Sequence, residues 1–233
     1  MQKPLAKAIL FDMDGTLVNT LEDIRSALGS ALSLVGLSPP SAETTKSVVG
    51  RGLKNALKGA LQDAGATLDE DVQEHLYHAM MEFYRTHPSE RSTLYEGIGE
   101  LLEKLHDDGF ILGVLSNKED ELTRAIVRDV LGEFHFAWVQ GLMDSVPRKP
   151  DRTAIVQFLA KQGLSAEEVL YIGDSEVDWQ TAANVPCSHI LVSWGFRAKE
   201  KLQSLPGSVV VDTVHELEDA IYGIQRERSQ KQS

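Results

Sequence analysis

Two carboxylates stand one residue apart at the end of a short apolar run, Ala8-Ile9-Leu10-Phe11-Asp12-Met13-Asp14-Gly15-Thr16. Paired acids at the end of a buried strand are costly unless a cation or a proton neutralises them. A hard divalent ion such as Mg²⁺ takes carboxylate and carbonyl oxygens, and one of the two acids can also serve as a nucleophile. Taken alone, Asp14-Gly15 fits an acidic turn equally well. Three further polar groups change the balance: Ser116-Asn117-Lys118, Lys149-Pro150 and Gly173-Asp174-Ser175, the last followed by Asp178. Acids for a metal and a nucleophile, hydroxyl and amide donors for oxygens, and a lysine together make the inventory of phosphoryl transfer.

Something must bring these groups together, and the apolar pattern supplies it. Phe110–Leu115 and Val169–Ile172 are continuous apolar runs that predict buried strands ending at Ser116 and Gly173. Further strands are expected at 134–139, 190–192 and 209–211, with helices at about 97–108, 121–131, 152–162 and 213–225, and one after Ser175 through Asp178 and Ala182, between them. Strands alternating with helices imply a parallel sheet covered on both faces, with ligands at the carboxyl ends of the strands. Residues 20–88 differ. Leu21, Ile24, Leu28, Leu32 and Val35 recur at helical spacing, Pro39-Pro40 stops that helix, and Ser41 or Thr44 caps the next. Two more helices follow, over Leu53–Leu61 and Asp69–His87. The expected architecture is therefore a Rossmann-like α/β core, residues 1–18 and 90–233, with an all-helical cap inserted at 19–89. The polar tail from Glu227 is expected to fray.

Composition narrows the function. The 233 residues carry a formal net charge of −12, which argues against nucleic-acid or anionic-membrane partners. The single cysteine, Cys187, allows no internal disulfide, and no apolar run approaches membrane-spanning length. A cytoplasmic protein, monomeric or homodimeric, is the expectation. His75 and His78 lie on one helical face without further ligands, and Trp138, Trp179 and Trp194 read as packing residues.

The four polar groups, in this order and each at a strand end or loop, resemble the motifs of the haloacid dehalogenase superfamily, on its phosphatase side. The resemblance covers nearly the whole chain. It implies that Asp12 attacks phosphorus to form an aspartyl-phosphate, and that Asp14 protonates the leaving oxygen and then activates water. It implies Mg²⁺ held by the Asp12 carboxylate, the Asp14 carbonyl and Asp174, with Asp178 acting indirectly. Ser116, the Asn117 backbone and Thr16 are expected around the phosphate, with Lys149 neutralising charge. The dehalogenase branch lacks an acid at the Asp14 position, so the resemblance points to a phosphatase or phosphomutase, with a phosphomonoesterase as the favoured reading.

The Val49-Gly50-Arg51-Gly52-Leu53 stretch, Lys118 and Ser193-Trp194-Gly195 resemble the phosphoglycolate phosphatases, which implies a small phosphorylated carboxylate as substrate, 2-phosphoglycolate first. Arg51 and Lys118 are the residues expected to meet it. Pro186 departs from the glycine the family usually carries there. A phosphosugar phosphatase or mutase, a pyrophosphatase and a nucleotidase share the core, and a phosphoryl-accepting signalling or binding module is the non-enzyme alternative.

Overall fold

The computed structural model describes residues 6–230, the side chains of 225–230 apart. In chain order the elements begin with β1 (Ala8–Phe11), the two-residue β2 (Val18–Asn19) and four helices: α1 (Leu21–Ser33), α2 (Ala42–Val48), α3 (Leu53–Asp63) and α4 (Glu70–Thr86). The chain returns through β3 (Thr93–Leu94), α5 (Ile98–Asp107), β4 (Ile111–Glu119), α6 (Asp120–Val130), β5 (Trp138–Leu142) and α7 (Thr153–Gln162). It closes with β6 (Val169–Gly173), α8 (Glu176–Asn184), β7 (Ser188–Val192), α9 (Lys199–Gln203), β8 (Val210–Val211) and α10 (Val214–Gln230).

Six strands form a parallel sheet in the order β5-β4-β1-β6-β7-β8. The first strand is central, so chain order reverses beside it and the crevice at its carboxyl end becomes the natural binding place. Its four residues are fully buried and alternate between two cores. Ile9 and Phe11 join α5, Ile126 and α10 on one face; Ala8 and Leu10 join Ala154, Ile155 and Phe158 of α7 on the other. The predicted α/β core, covered on both faces, is what the chain forms.

A third core belongs to the helical insert. Leu21, Ile24 and Leu28 of α1 pack with Leu53 and Leu57 of α3 and with Met80 and Tyr84 of α4. Leu122 and Phe196 reach into it from the sheet side, so the insert sits on the core rather than beside it. The two-residue antiparallel ladder β2–β3 closes the neck, pairing Val18 with Leu94. Ser41, not Thr44, caps α2: its hydroxyl accepts the Thr44 N–H at 3.0 Å.

Several boundaries move. The strand expected over Phe110–Leu115, with Ser116-Asn117-Lys118 at its end, starts at Ile111 and takes those three residues in, running to Glu119. A strand was expected at 134–139 but β5 occupies Trp138–Leu142. Phe134 and Phe136 pack against the sheet core from a loop, and their alternation mimics a strand. The last helix runs to Gln230, past the expected end at Gln225; the part of the fraying tail at 231–233 lies outside the described residues. Neither α9 nor the β2–β3 ladder is announced by periodicity, because each is too short to show one.

Candidate active site

The site is built at the carboxyl ends of β1, β4 and β6. Asp12 follows β1 directly, its N–H donating to the Ile172 carbonyl of the neighbouring strand at 2.8 Å. The chain then turns sharply, with Leu17 N–H donating to Met13 O at 3.1 Å. Gly15 makes the turn possible. Its φ is +84°, and a Cβ there would collide with the Asp174 carboxylate. Gly195 approaches the same carboxylate from the other side, again where a Cβ would not fit. Asp174 is thus walled in by two glycines and fixed by the Phe196 N–H, 2.6 Å from its Oδ2.

Lys149 is the cation of the floor. Its ammonium lies 2.9 Å from Asp12 Oδ1 and 2.8 Å from Asp178 Oδ1, and donates to the Tyr171 hydroxyl at 3.2 Å. Asn117 holds the Lys149 backbone, accepting its N–H at 2.8 Å and donating to its carbonyl at 3.0 Å. Asp178 spends both oxygens inside the fold. Oδ1 accepts from Lys149 and Tyr171, and Oδ2 from the Ser175 N–H and hydroxyl in a capping box that starts α8.

Three buried acids therefore face one buried lysine. Burial and the Asp178 charge push the Asp12 carboxyl well above its ordinary range, against the opposing pull of Lys149. Burial and Asp178 push Asp174 up to about 7. Oxygens of Asp12, Asp174 and Asp178 lie within 4.8 Å of one another. Asp12 Oδ2 and Asp174 Oδ1 have no hydrogen-bond partner among the described residues. An excess of negative charge with open carboxylate oxygens fits a hard divalent cation. Asp178, with both oxygens engaged, fits an outer position.

Asp14 belongs to a second network. Oδ1 accepts from the Thr20 hydroxyl and, at 2.7 Å, from Lys118 Nζ; Oδ2 accepts from the Ser116 hydroxyl at 3.3 Å. The Lys118 ammonium also donates to Tyr84 OH at 2.7 Å and stands over its ring, 4.8 Å from the centroid. Burial opposes the charge on Lys118, but Asp14 and Tyr84 outweigh it, so its pKa lies above the ordinary lysine value.

A narrow pocket opens above these groups. Asp12, Asp14, Ser116, Lys118 and Asp174 line its floor, and Ile24, Val49, Gly50, Gly52, Leu53 and Ala56 roof it from the insert. Thr16 does not face it: its hydroxyl is buried without a partner and its carbonyl accepts from Trp194 Nε1 at 3.1 Å. Arg51 also stands outside. Its side chain is 67% exposed and ends 3.8 Å from Glu176, because the glycines on either side turn backbone, not side chain, toward the cavity. Arg197 lines the pocket instead, 9% exposed. Thr20, Tyr84, Tyr171 and Arg197 escape a reading of the sequence. Only Arg197 carries a signal, two residues beyond Ser193-Trp194-Gly195.

Two neighbouring acids, a fixed lysine and a cluster of three buried carboxylates stand together at the sheet switch point. Residues 9–192 match the model of the haloacid dehalogenase-like hydrolases. The chain belongs to that family. The hydrolase is 31% identical over 203 residues to a phosphoglycolate phosphatase of Rhodobacter capsulatus, covering 87% of this chain and 90% of that one. It is 28% identical over 219 residues to a phosphoglycolate phosphatase of Vibrio parahaemolyticus, covering 92% and 96%. A crystal structure from Lactobacillus delbrueckii subsp. bulgaricus, provisionally named a phosphoglycolate phosphatase, superposes with a TM-score of 0.85 at 30% identity, covering 95% and 99%. With such relatives, the hydrolase is a phosphoric monoester hydrolase. No helix among the described residues is long and apolar enough to cross a membrane.

Proposed function

We propose that the hydrolase cleaves 2-phosphoglycolate through an aspartyl-phosphate on Asp12, with Mg²⁺ as cofactor. One observation carries the reading: Asp12 Oδ1 is pinned by Lys149 and the Met13 N–H, while Oδ2 is left open beside the pocket. A carboxylate fixed by one oxygen presents the other in a single direction, which is what in-line attack on phosphorus requires. The Asp12–phosphorus bond forms as the ester P–O bond breaks, and the leaving oxygen takes a proton from Asp14. Asp14 then removes a proton from water as that water attacks phosphorus. The Asp12–phosphorus bond breaks, and phosphate leaves.

Lys149 stays beside Asp12 through both transfers and offsets charge on the phosphoryl oxygens. Ser116 and the Asn117 backbone supply donors to those oxygens, with Thr16 holding the turn rather than the substrate. Asp12, Asp174 and the Asp14 carbonyl would hold Mg²⁺, with Asp178 behind them. When bound, Mg²⁺ supplies charge neutralisation between the nucleophile and the phosphate dianion.

The substrate carboxylate is assigned to Lys118. An ammonium has three N–H donors, and Asp14 and Tyr84 take two. The third is available to an anion in the pocket, and drawing the lysine toward it loosens its hold on Asp14. The roof is apolar and close, which suits a two-carbon acid better than a sugar or a nucleotide. We further propose residues 19–89 as a cap that shields this chemistry from bulk water, over a core of 1–18 and 90–233.

The test is phosphate release from 2-phosphoglycolate, hexose phosphates, nucleotides and pyrophosphate, with and without Mg²⁺, for wild type and Asp12→Asn. The reading expects Mg²⁺-dependent turnover, greatest on 2-phosphoglycolate and lost in Asp12→Asn. Preference for another ester would overturn the substrate, and full turnover in Asp12→Asn would overturn the mechanism.

A further inference from the structure

The loop that roofs the pocket, residues 46–52, is tied to its own insert through Val49 N–H on the Thr45 carbonyl and Asn55 on the Arg51 carbonyl, and is gripped as well by side chains from the other side of the cleft. Arg197, in the segment between β7 and α9, donates through Nη1 to the Lys46 carbonyl at 2.6 Å and through Nη2 to the Val49 carbonyl. Its Nε donates to Glu176 at 3.0 Å. Asn117 donates to the Gly50 carbonyl at 3.0 Å, and Arg148 to the Arg51 carbonyl at 2.9 Å. Four carbonyls of one short loop are thus taken by three core side chains.

The donors differ from those of an ordinary packed interface. Every acceptor is main-chain, so the grip fixes the path of the loop whatever its side chains are. Lys46 and Val49 stand at the carboxyl end of α2, where the helix carbonyls have no partner within the helix and favour a cation. Gly50, with φ +112°, leaves only 3.1 Å between the place of a Cβ and Arg197 Nη2, so a side chain there would push the guanidinium away. Glu176 holds the guanidinium in plane and anchors it to the first turn of α8, the helix that carries Asp178.

We infer that Arg197 and Arg148 are positioning residues that clamp the 46–52 loop onto the core, and that this clamp sets the size of phosphate ester the pocket admits. With it closed, Val49, Gly50 and Gly52 stand directly over the reacting groups and leave room for a small leaving group only. With it released, the roof lifts and a bulky ester enters. Size selection rests on the phosphomonoesterase reading above; the clamp itself does not.

The test has two arms, both on the full chain. Amide hydrogen exchange across 46–52 is compared in wild type, Arg197→Met and Arg148→Ala. The expected result is exchange faster by about tenfold in Arg197→Met and by a smaller factor in Arg148→Ala, with β1 and β6 unchanged. Arg148 is exposed, so its variant carries the test if Arg197→Met does not fold. The second arm compares kcat/KM for 2-phosphoglycolate with that for p-nitrophenyl phosphate. The ratio is expected to fall by about fivefold or more in Arg197→Met, through loss on the small ester and gain on the bulky one. Unchanged exchange overturns the clamp. Faster exchange with an unchanged ratio overturns size selection. If wild type turned over neither ester, the substrate reading would fail and exchange alone would decide the clamp.

Discussion

Lys118 Nζ and Asp14 Oδ1 lie 2.7 Å apart in a setting with almost no water, their side chains 2% and 10% exposed. The pair joins the β4 strand end to the turn after β1, and Tyr84 ties it to the helical insert. Asp14 is therefore not a free acid at the mouth of a cleft. Its carboxylate is paired with the lysine inside the fold.

Removing one member of a buried ion pair leaves the other uncompensated. Lys118→Met is expected to cost about 3 kcal/mol of folding stability. Tyr84→Phe, which deletes one hydrogen bond and keeps the ring, is expected to cost about 1 kcal/mol. Urea unfolding measures both. Equal costs would show that Tyr84 and Lys118 do not act as this geometry requires.

Lys149 touches Asp12, Asp178 and Tyr171 at once, and an arginine fork cannot make the same three contacts from the same space. Lys149→Met and Lys149→Arg are both expected to lower kcat by about a hundredfold or more. Substantial activity in Lys149→Arg would show that charge alone suffices.

Asp174 links the metal to pH. Its carboxyl is raised from an ordinary 3.8 to about 7, so the folded protein holds a proton that the unfolded chain has released. Without metal, this group stabilises the fold fully below about pH 4, and its contribution is lost as pH rises toward 7. On the proposed reading Mg²⁺ takes the Asp174 carboxylate and so displaces that proton. Calorimetry is expected to show affinity rising by up to about tenfold per pH unit below 7 and levelling above it. A flat profile from pH 6 to 8 would remove Asp174 from the metal site.

His189 has the opposite sign. Its ring is part-buried in β7, its Nε2 has no partner, and burial holds its pKa below the ordinary 6.5. Its contribution is complete above pH 6.5 and is lost as pH falls, because the unfolded chain takes the proton first. His189→Leu is expected to flatten the stability loss between pH 6.5 and 5 in thermal unfolding. An unchanged slope would place the acid sensitivity elsewhere.

The sheet and the polar groups along its carboxyl edge were legible because each follows a continuous apolar run, and burial on both faces writes such runs into the sequence. Asp12, Ser116 and Asp174 stand that way, whereas Lys149 lies in a loop and is read only from its place in the order of the polar groups. Tyr84 and Thr20 could not. Each sits at an ordinary position of a helical pattern, and its role comes from where the insert docks. Arg51 misled for a related reason. Residue type suggested an anion partner, but between Gly50 and Gly52, both at positive φ, the side chain stands outside the pocket and reaches Glu176. Phe134 and Phe136 imitate a strand because packing from a loop can follow the same alternation.

The central claim is a covalent phosphoryl group on Asp12. Asp14→Asn mixed with acetyl phosphate and Mg²⁺ tests it, because a small leaving group that needs no proton allows the first transfer while the second lacks its base. Acid quenching and peptide mass analysis are expected to find about one phosphoryl group per chain, on Asp12, with a matching release of acetate. Continued phosphate release with Asp12 unmodified at every quench time would contradict the account.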